Sequence, residues 1–507
     1  MRTYNLMRNS CRLPAVASLL ACVLCACLSD SAEAADNRPS IDKPNFVFLF
    51  CDNLGYGDVE PFGSKINRTP NLNRMAREGR KFTDFYVSAG VCTPSRASFL
   101  TGCYPRRVNM HQSELIPPDY WAKKRTSPPT KSSVLWPVSS KGLHPDEITI
   151  AEVLKDRGYA TTCIGKWHLG DQTPFLPTRQ GFDSFFGIPY SEGMMARTGA
   201  KGKIPPLPLL ENETVIEAPV DCNLLTQRYT QRAIDFMTTN RDTPFFLYLP
   251  HAMPGSIPDA FSSPEFKGRN KNGPWSDKVE ELDWSTGKIL DAIRDLGIAE
   301  RTFVIWTSDN GAGKIKEGER GSNLPLKGWG YTTAEAGMRV PCIMWWLGTI
   351  PAGTVCTEVA STMDLMPSYA RLAGGAEPQD RIIDGRDIRP LIFGEAGAKS
   401  PHEAFFYYNM DQLQAVRSGK WKLYLALDEK RISPFRTIEN TPAQLFDLTG
   451  DLSETTNVVN DHPDVVRRLT EHAEKARKDL GDRNRPGTGQ RLAGSVKDPQ
   501  PQTTTKP

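Results

Sequence analysis

Unbroken apolar runs alternate along this chain with amphipathic helical stretches, and that alternation predicts the fold. Phe46 to Cys51 is a continuous apolar run that stops at Asp52-Asn53. Such a run suits a strand buried on both faces of a parallel sheet. Phe303 to Trp306 repeats the design and ends on Asp309-Asn310-Gly311, and "PFFLYLPH" predicts a further strand ending at His251. Helical patterns lie between these runs. Thr149 and Glu152 make a capping box, Gly158 is a stop, and a strand from Ala160 to Ile164 leads into Gly165-Lys166-Trp167-His168. Val279, Leu282, Thr286, Ile289, Leu290 and Ile293 recur at helical spacing up to Gly297. The prediction is an α/β fold with a large, mostly parallel central sheet covered by helices on both faces.

After about residue 400 the pattern changes. "AFFYYN", "LQAVRSGKWKLYLAL" and "AQLFDL" read as short antiparallel strands, with a helix near 462–480. This predicts a large domain over 36–399, a smaller C-terminal α+β domain over 400–483, and a disordered tail over 484–507. Segments 112–146 and 254–275 read as long surface loops.

Composition narrows the class. The 507 residues are 39% hydrophobic and 24% charged with a net charge of +3, which suits a soluble globular protein and gives no field for nucleic acid. Residues 1–35 read as a signal peptide: Arg2, Arg8 and Arg12 precede "LPAVASLLACVLCACL", and Ala32 and Ala34 form an A-x-A cleavage pattern. The protein is therefore expected to be exported, periplasmic or secreted. Boxes ending at Cys22 and Cys27 offer a lipid anchor as the lesser alternative, and no transmembrane segment follows. Removing the leader takes four of the eleven cysteines and leaves Cys51, Cys92, Cys103, Cys163, Cys222, Cys342 and Cys356. That number is odd, so at least one is outside any internal disulfide.

Polar clusters end the predicted strands. Asp52, Asn53, Asp309 and Asn310 bring carboxylate and amide oxygens to one sheet edge, where they suit a hard cation such as Ca²⁺ or Mg²⁺. The plain alternative is turn chemistry. In "VCTPSRASFLTG", Pro94 suits a first helical turn, so Cys92 stands just before a helix N-terminus that favours an anion, with Arg96 one turn in. Cys92 is then a buried small hydrophobe or a nucleophile with His168 or His251 as its base. Lys166 and His168 alternate and point the same way on extended chain.

Six spaced motifs between about residues 44 and 460 carry a resemblance: "DNLGYGD", "CTPSRASFLTGCYP", "GYATTCIGKWHLG", "SDNG", "GSNLPLKG" with "EAGMRVP", and "LFDLTGDLSETTNVV". Together they resemble a type I sulfatase of the alkaline-phosphatase superfamily. The resemblance implies hydrolysis of a sulfate ester, of a carbohydrate or an aryl alcohol. It implies that formylglycine-generating machinery oxidises Cys92, and that the hydrated aldehyde attacks sulfur with one hydroxyl and expels sulfate with the other. It implies a Ca²⁺ held by Asp52, Asn53, Asp309, Asn310 and the modified Cys92. Arg96 and Lys166 would hold the diol and sulfate, His168 would assist collapse, and His251 would bind sulfate or protonate the leaving oxygen. The chain departs from the pattern at Asn53, where a second acid is usual, and at Gly330, where the family's sulfate-binding lysine aligns. Ala336 also replaces a usual glycine. Lys327, three residues before Gly330, is expected to take the missing role. The alternatives are a phosphonate or phosphate monoester hydrolase on the same cradle, and a non-catalytic binding protein.

Overall fold

The computed structural model describes residues 43–116, 130–194, 204–256, 261–314, 321–427, 431–432, 437–438, 442–483 and 485–503. The expected leader lies outside them, as do 117–129 and 257–260 of the two expected loops. Among the described residues no helix is long and apolar enough to cross a membrane.

The large sheet has the strand order Thr214–Glu217, Leu209–Glu211, Ser184–Ile188, Ala160–Lys166, Phe245–Pro254, Asn45–Asp52, Thr302–Ser308, Cys342–Trp345, Arg80–Phe82, Thr354–Cys356. The five strands from Ser184–Ile188 to Thr302–Ser308 run parallel. Every residue of Asn45–Asp52 and of Thr302–Ser308 is buried, which is why these runs show no polar alternation. Phe46 and Phe48 stack on Tyr369 and Phe99, from the helices Leu365–Leu372 and Cys92–Thr101. Val47 and Leu49 join the cluster of Leu225, Tyr229, Leu282 and Ile289, from the helices Leu225–Thr239 and Pro274–Asp295. Side chains alternate across a strand, so helices cover both faces. The Thr149–Glu152 capping box forms as expected.

Three expectations change. The strand expected to end at His251 continues to Pro254, and its register against Asn45–Asp52 jumps between Phe50 and Asp52. The 112–146 loop is not wholly at the surface: Val134 and Leu135 are buried. The tail is not disordered. Gly494–Ser495 pairs antiparallel with Lys141–Gly142, Arg491 pairs with Glu147 at 2.7 Å, and Gln500 exchanges hydrogen bonds with Gln172.

A second, antiparallel sheet runs Phe405–Asn409, Gln412–Ser418, Trp421–Tyr424, Gln444–Asp447, with the helix Pro463–Leu480 beside it. It shares one compact unit, 42–507, with the large sheet. The tie between the sheets is a buried ionic network. Glu335 meets Lys422 at 2.9 Å and Tyr407 Oη at 2.9 Å, and also Tyr86, while Asp84 binds both Arg339 and Arg417 at 2.6 Å. Each carboxylate is bracketed by cations, as burial of charge requires.

Candidate active site

The site is built where the parallel strands end. Cys51 pairs with Ser308 across the sheet, and Asp309 N donates to Cys51 O at 2.9 Å. Asp52 and Asp309 therefore emerge side by side. Asn53 then turns into the left-handed region with φ 60°, a conformation asparagine tolerates well. That turn lets Asn53 N donate to Asp309 Oδ1 and Asn53 Nδ2 to Asp52 Oδ2, each at 3.0 Å.

Cys92 is the first residue of the helix Cys92–Thr101 rather than the residue before it. The next residue fixes the helix start: Thr93 Oγ1 donates to His168 O at 3.0 Å and accepts from Leu135 N at 3.2 Å. One turn in, the Arg96 guanidinium donates to Asp52 Oδ1 at 3.0 Å, to Asp309 Oδ2 at 2.7 Å and to Lys166 O at 2.6 Å. Lys166 Nζ donates to Asp52 Oδ1 at 2.6 Å and to Ser191 Oγ at 3.2 Å, and lies 3.6 Å from Cys92 Sγ. Asn53 Oδ1 lies 4.0 Å from Cys92 Sγ and accepts from Asn310 Nδ2 at 2.6 Å.

Burial sets the charge states. It raises the Asp52 carboxyl to about 6 against the pull of Lys166, and it pushes the Cys92 thiol well up, aided by the Asp52 charge. Burial pulls the Lys166 ammonium down, but Asp52 outweighs it and the net direction is up. Burial holds His168 well below the usual imidazole range, with Lys166 and Arg96 adding to it, and lowers His251 to about 3. Both imidazoles are thus neutral. His168 Nε2 faces Leu135 O at 3.0 Å, so Nε2 carries the proton and the buried Nδ1 presents a lone pair with no partner among the described residues. His251 Nε2 lies 3.5 Å from Ser285 Oγ.

The oxygens suit a hard divalent cation. Asp52 and Asp309, with Cys92, place ligand atoms within 4.8 Å of one another. Asn310 Oδ1 is a buried acceptor with no partner among the described residues, and a cation beside it satisfies an oxygen that otherwise costs free energy to bury.

The structure thus gathers Asp52, Asn53, Cys92, Arg96, Lys166 and Asn310 around Asp309. It does not bring Lys327 there. That side chain is exposed; its Nζ donates to Glu454 O at 2.8 Å and lies 4.8 Å from the Phe446 ring centre, both beyond the large sheet. The expected sulfate-binding role of Lys327 is withdrawn, because the ammonium is spent on joining its loop to the C-terminal region. Nor can Gly330 hold a side chain, since a Cβ there would lie 2.2 Å from Gly311 O. Three residues join the site that the sequence did not single out. Ser191 and Glu192 approach Lys166, Glu192 at 3.9 Å, and Tyr331 Oη donates to Asn53 Oδ1 at 3.3 Å. The polar pair after the strand Ser184–Ile188 was the available signal for the first two.

Comparison with known proteins agrees with this geometry. The sequence profile of the Sulfatase family matches residues 44–376, and that of the C-terminal region of aryl-sulfatase matches 400–492. Mouse steryl-sulfatase is 34% identical over 536 residues, spanning 87% of this chain and 83% of its own. Human arylsulfatase A is 36% identical over 462 residues, spanning 84% and 86%. The crystal structure of Ps i-CgsB in complex with k-i-k-neocarrahexaose is 28% identical, with a TM-score of 0.67, 85% of this chain and 92% of that one covered. A cysteine at a helix start among paired strand-end carboxylates, in a chain whose profile match covers more than half its length, identifies this protein as a member of the sulfatase family, a type I sulfatase of the alkaline-phosphatase superfamily that hydrolyses sulfuric esters.

Proposed function

We propose that this sulfatase acts through residue 92 as formylglycine, with Ca²⁺ held by Asp52, Asn53, Asp309 and Asn310 beside it, on a sulfated carbohydrate or an aryl sulfate. The observation that carries the reading is the setting of Cys92. It sits at a helix N-terminus 3.6 Å from the Lys166 ammonium, yet burial keeps its thiol protonated, and a thiol is a poor nucleophile. Residue 92 is therefore placed for nucleophilic work that an unmodified cysteine does badly. Formylglycine and calcium, when present, supply a hydrated-aldehyde oxygen as nucleophile and a fixed positive charge.

The chain's own residues do the rest. Asp52 and Asp309 are balanced by Arg96 and Lys166. A divalent ion then makes the cradle net positive, as an anionic sulfate group requires, and Asn53 in place of a third acid adds to that excess. Lys166 orients the nucleophile and neutralises a sulfate oxygen. The bare His168 Nδ1 accepts a proton from the oxygen of residue 92, and His251, being neutral, contributes a hydrogen bond to sulfate rather than a full charge. The oligosaccharide bound by Ps i-CgsB and the name of arylsulfatase A support the two substrate classes. The leader supports export, and Cys92, Pro94 and Arg96 form the element that maturation machinery reads.

The test is peptide mass spectrometry of residue 92 with assays on aryl sulfates, sulfated saccharides, phosphate esters and phosphonate esters, with and without chelator. The expected result is an aldehyde at 92 and sulfate-ester turnover that Cys92→Ala and chelation abolish. Full turnover by protein carrying only cysteine at 92 overturns the mechanism, and turnover of phosphorus esters alone assigns the other hydrolase class.

A further inference from the structure

We propose that Tyr331 contacts the substrate: its phenol donates a hydrogen bond to the sulfate group from the side of the cradle that no cation serves. The inference rests on the sulfate-ester reading above.

The backbone carries the argument first. Gly330 N donates to Ala312 O at 2.8 Å, close to the Asp309-Asn310 strand end, and Tyr331 N donates to Gly90 O at 2.8 Å, two residues before Cys92. The segment is thus clamped between the two elements that deliver the site. A Cβ at Gly330 would strike Gly311 O, so position 330 stays bare and the next side chain is the one the clamp presents. Tyr331 takes φ 67°, a left-handed conformation that a bulky residue adopts only where its surroundings impose it, and such positions cluster at functional sites. A Cβ at Gly313 would lie 2.7 Å from Tyr331 Cε2, so the bare Gly313 leaves room for the ring.

The chemistry follows from where the phenol ends. Tyr331 Oη reaches Asn53 Oδ1 at 3.3 Å, and the same oxygen lies 4.0 Å from Cys92 Sγ. Phenol and nucleophile position therefore abut one atom. A phenol with an ordinary value near 10 keeps its proton at neutral pH. Asn53 and Tyr331 thus stand as a neutral amide–hydroxyl pair beside residue 92. The pair leaves the local charge to Lys166, Arg96 and the cation, and the phenol supplies direction to the sulfate oxygens rather than charge.

The test compares wild type with Tyr331→Phe by three measurements: sulfate-ester kinetics, calorimetric binding of inorganic sulfate, and metal content with thermal melting. The expected result is a loss of roughly 100-fold in kcat/KM, the size seen when one positioned donor is removed, and about tenfold weaker sulfate binding, with metal content and melting unchanged. Kinetics and sulfate binding both within about twofold of wild type overturn the proposal while the sulfatase reading stands. Loss of metal in the variant also overturns it, since Tyr331 then serves the cation site. A wild-type protein that neither turns over sulfate esters nor binds sulfate removes the functional reading, and this proposal with it.

Discussion

Glu192 shapes the site through one hydroxyl. Ser191 Oγ accepts from Lys166 Nζ at 3.2 Å and donates to Glu192 Oε2 at 2.8 Å, while Glu192 Oε1 accepts from Ser256 N at 2.7 Å. The carboxylate is fully buried, and a buried charge persists only where donors and a counter-charge compensate it. Gly255 allows the close approach: it takes φ 82°, and a Cβ there would lie 2.5 Å from Glu192 Oε1. Glu192→Gln keeps the shape and removes the charge that anchors the Lys166 ammonium. Steady-state kinetics are expected to show kcat/KM about tenfold lower, equivalent to about 1.4 kcal/mol, with Glu192→Asp recovering part of it. Kinetics equal to wild type would leave Glu192 with a role in folding only. Such a residue is hard to see in sequence, whereas Asp52 and Asp309 are easy, because each interrupts a long apolar run. Glu192 and Lys166 meet only because Ala160–Lys166 lies parallel to Ser184–Ile188, a pairing that no local pattern encodes.

Elements defined by apolar periodicity are legible, and those held by polar pairing are not. Val279, Leu282, Ile289, Leu290 and Ile293 mark the helix Pro274–Asp295 because all are buried. The tail carries no such signal. Leu492 is 76% exposed, and composition alone points to disorder. Order there comes from hydrogen bonds that composition does not weigh. Arg491 N donates to Arg107 O, Arg107 Nη1 donates to Gly489 O at 3.0 Å, and Gln502 Nε2 donates to Asp171 O at 2.6 Å. Its main tie is Arg491, whose guanidinium meets both oxygens of Glu147 at 2.7 and 2.9 Å. Glu147 is 3% exposed, so removing its partner strands a carboxylate. Arg491→Ala is expected to cost about 2 kcal/mol, read as a lower urea midpoint with an unchanged slope. A midpoint equal to wild type would mean that the tail contributes nothing to the fold, as its composition suggests.

Across the whole molecule, burial of acids away from the site sets a pH dependence of stability. Burial raises Asp58 to about 7, although Ser322 N, Gly55 N and Trp275 Nε1 donate to it. It likewise raises Glu281 to about 7 and Asp171 and Asp283 to about 6, from ordinary values of 3.8 to 4.5. Each group binds its proton more tightly folded than unfolded. Stability therefore grows as pH falls through 7 and 6, and the gain is complete near the unfolded values. His402 acts in the same sense: burial lowers it, but Asp364 at 2.7 Å outweighs that and holds it above 6.5, so its contribution is lost as pH rises. Glu335 opposes the trend, because Lys422, Arg417 and Arg339 overcome burial and hold it low; its contribution is lost only as pH falls below its ordinary 4.5. The opposing windows barely overlap, so the melting temperature is expected to peak between about pH 4.5 and 6 and to lie several degrees higher there than at about pH 8. These carboxylates do not touch the Cys92 cluster, so scanning calorimetry with and without chelator should give the same trend. Asp58→Asn removes the largest rise, about three pH units above the ordinary 3.8, and should narrow the difference between the two pH values. A melting temperature that falls steadily from about pH 8 to 5.5 would mean that these acids stay ionised in the fold, their N–H donors outweighing burial.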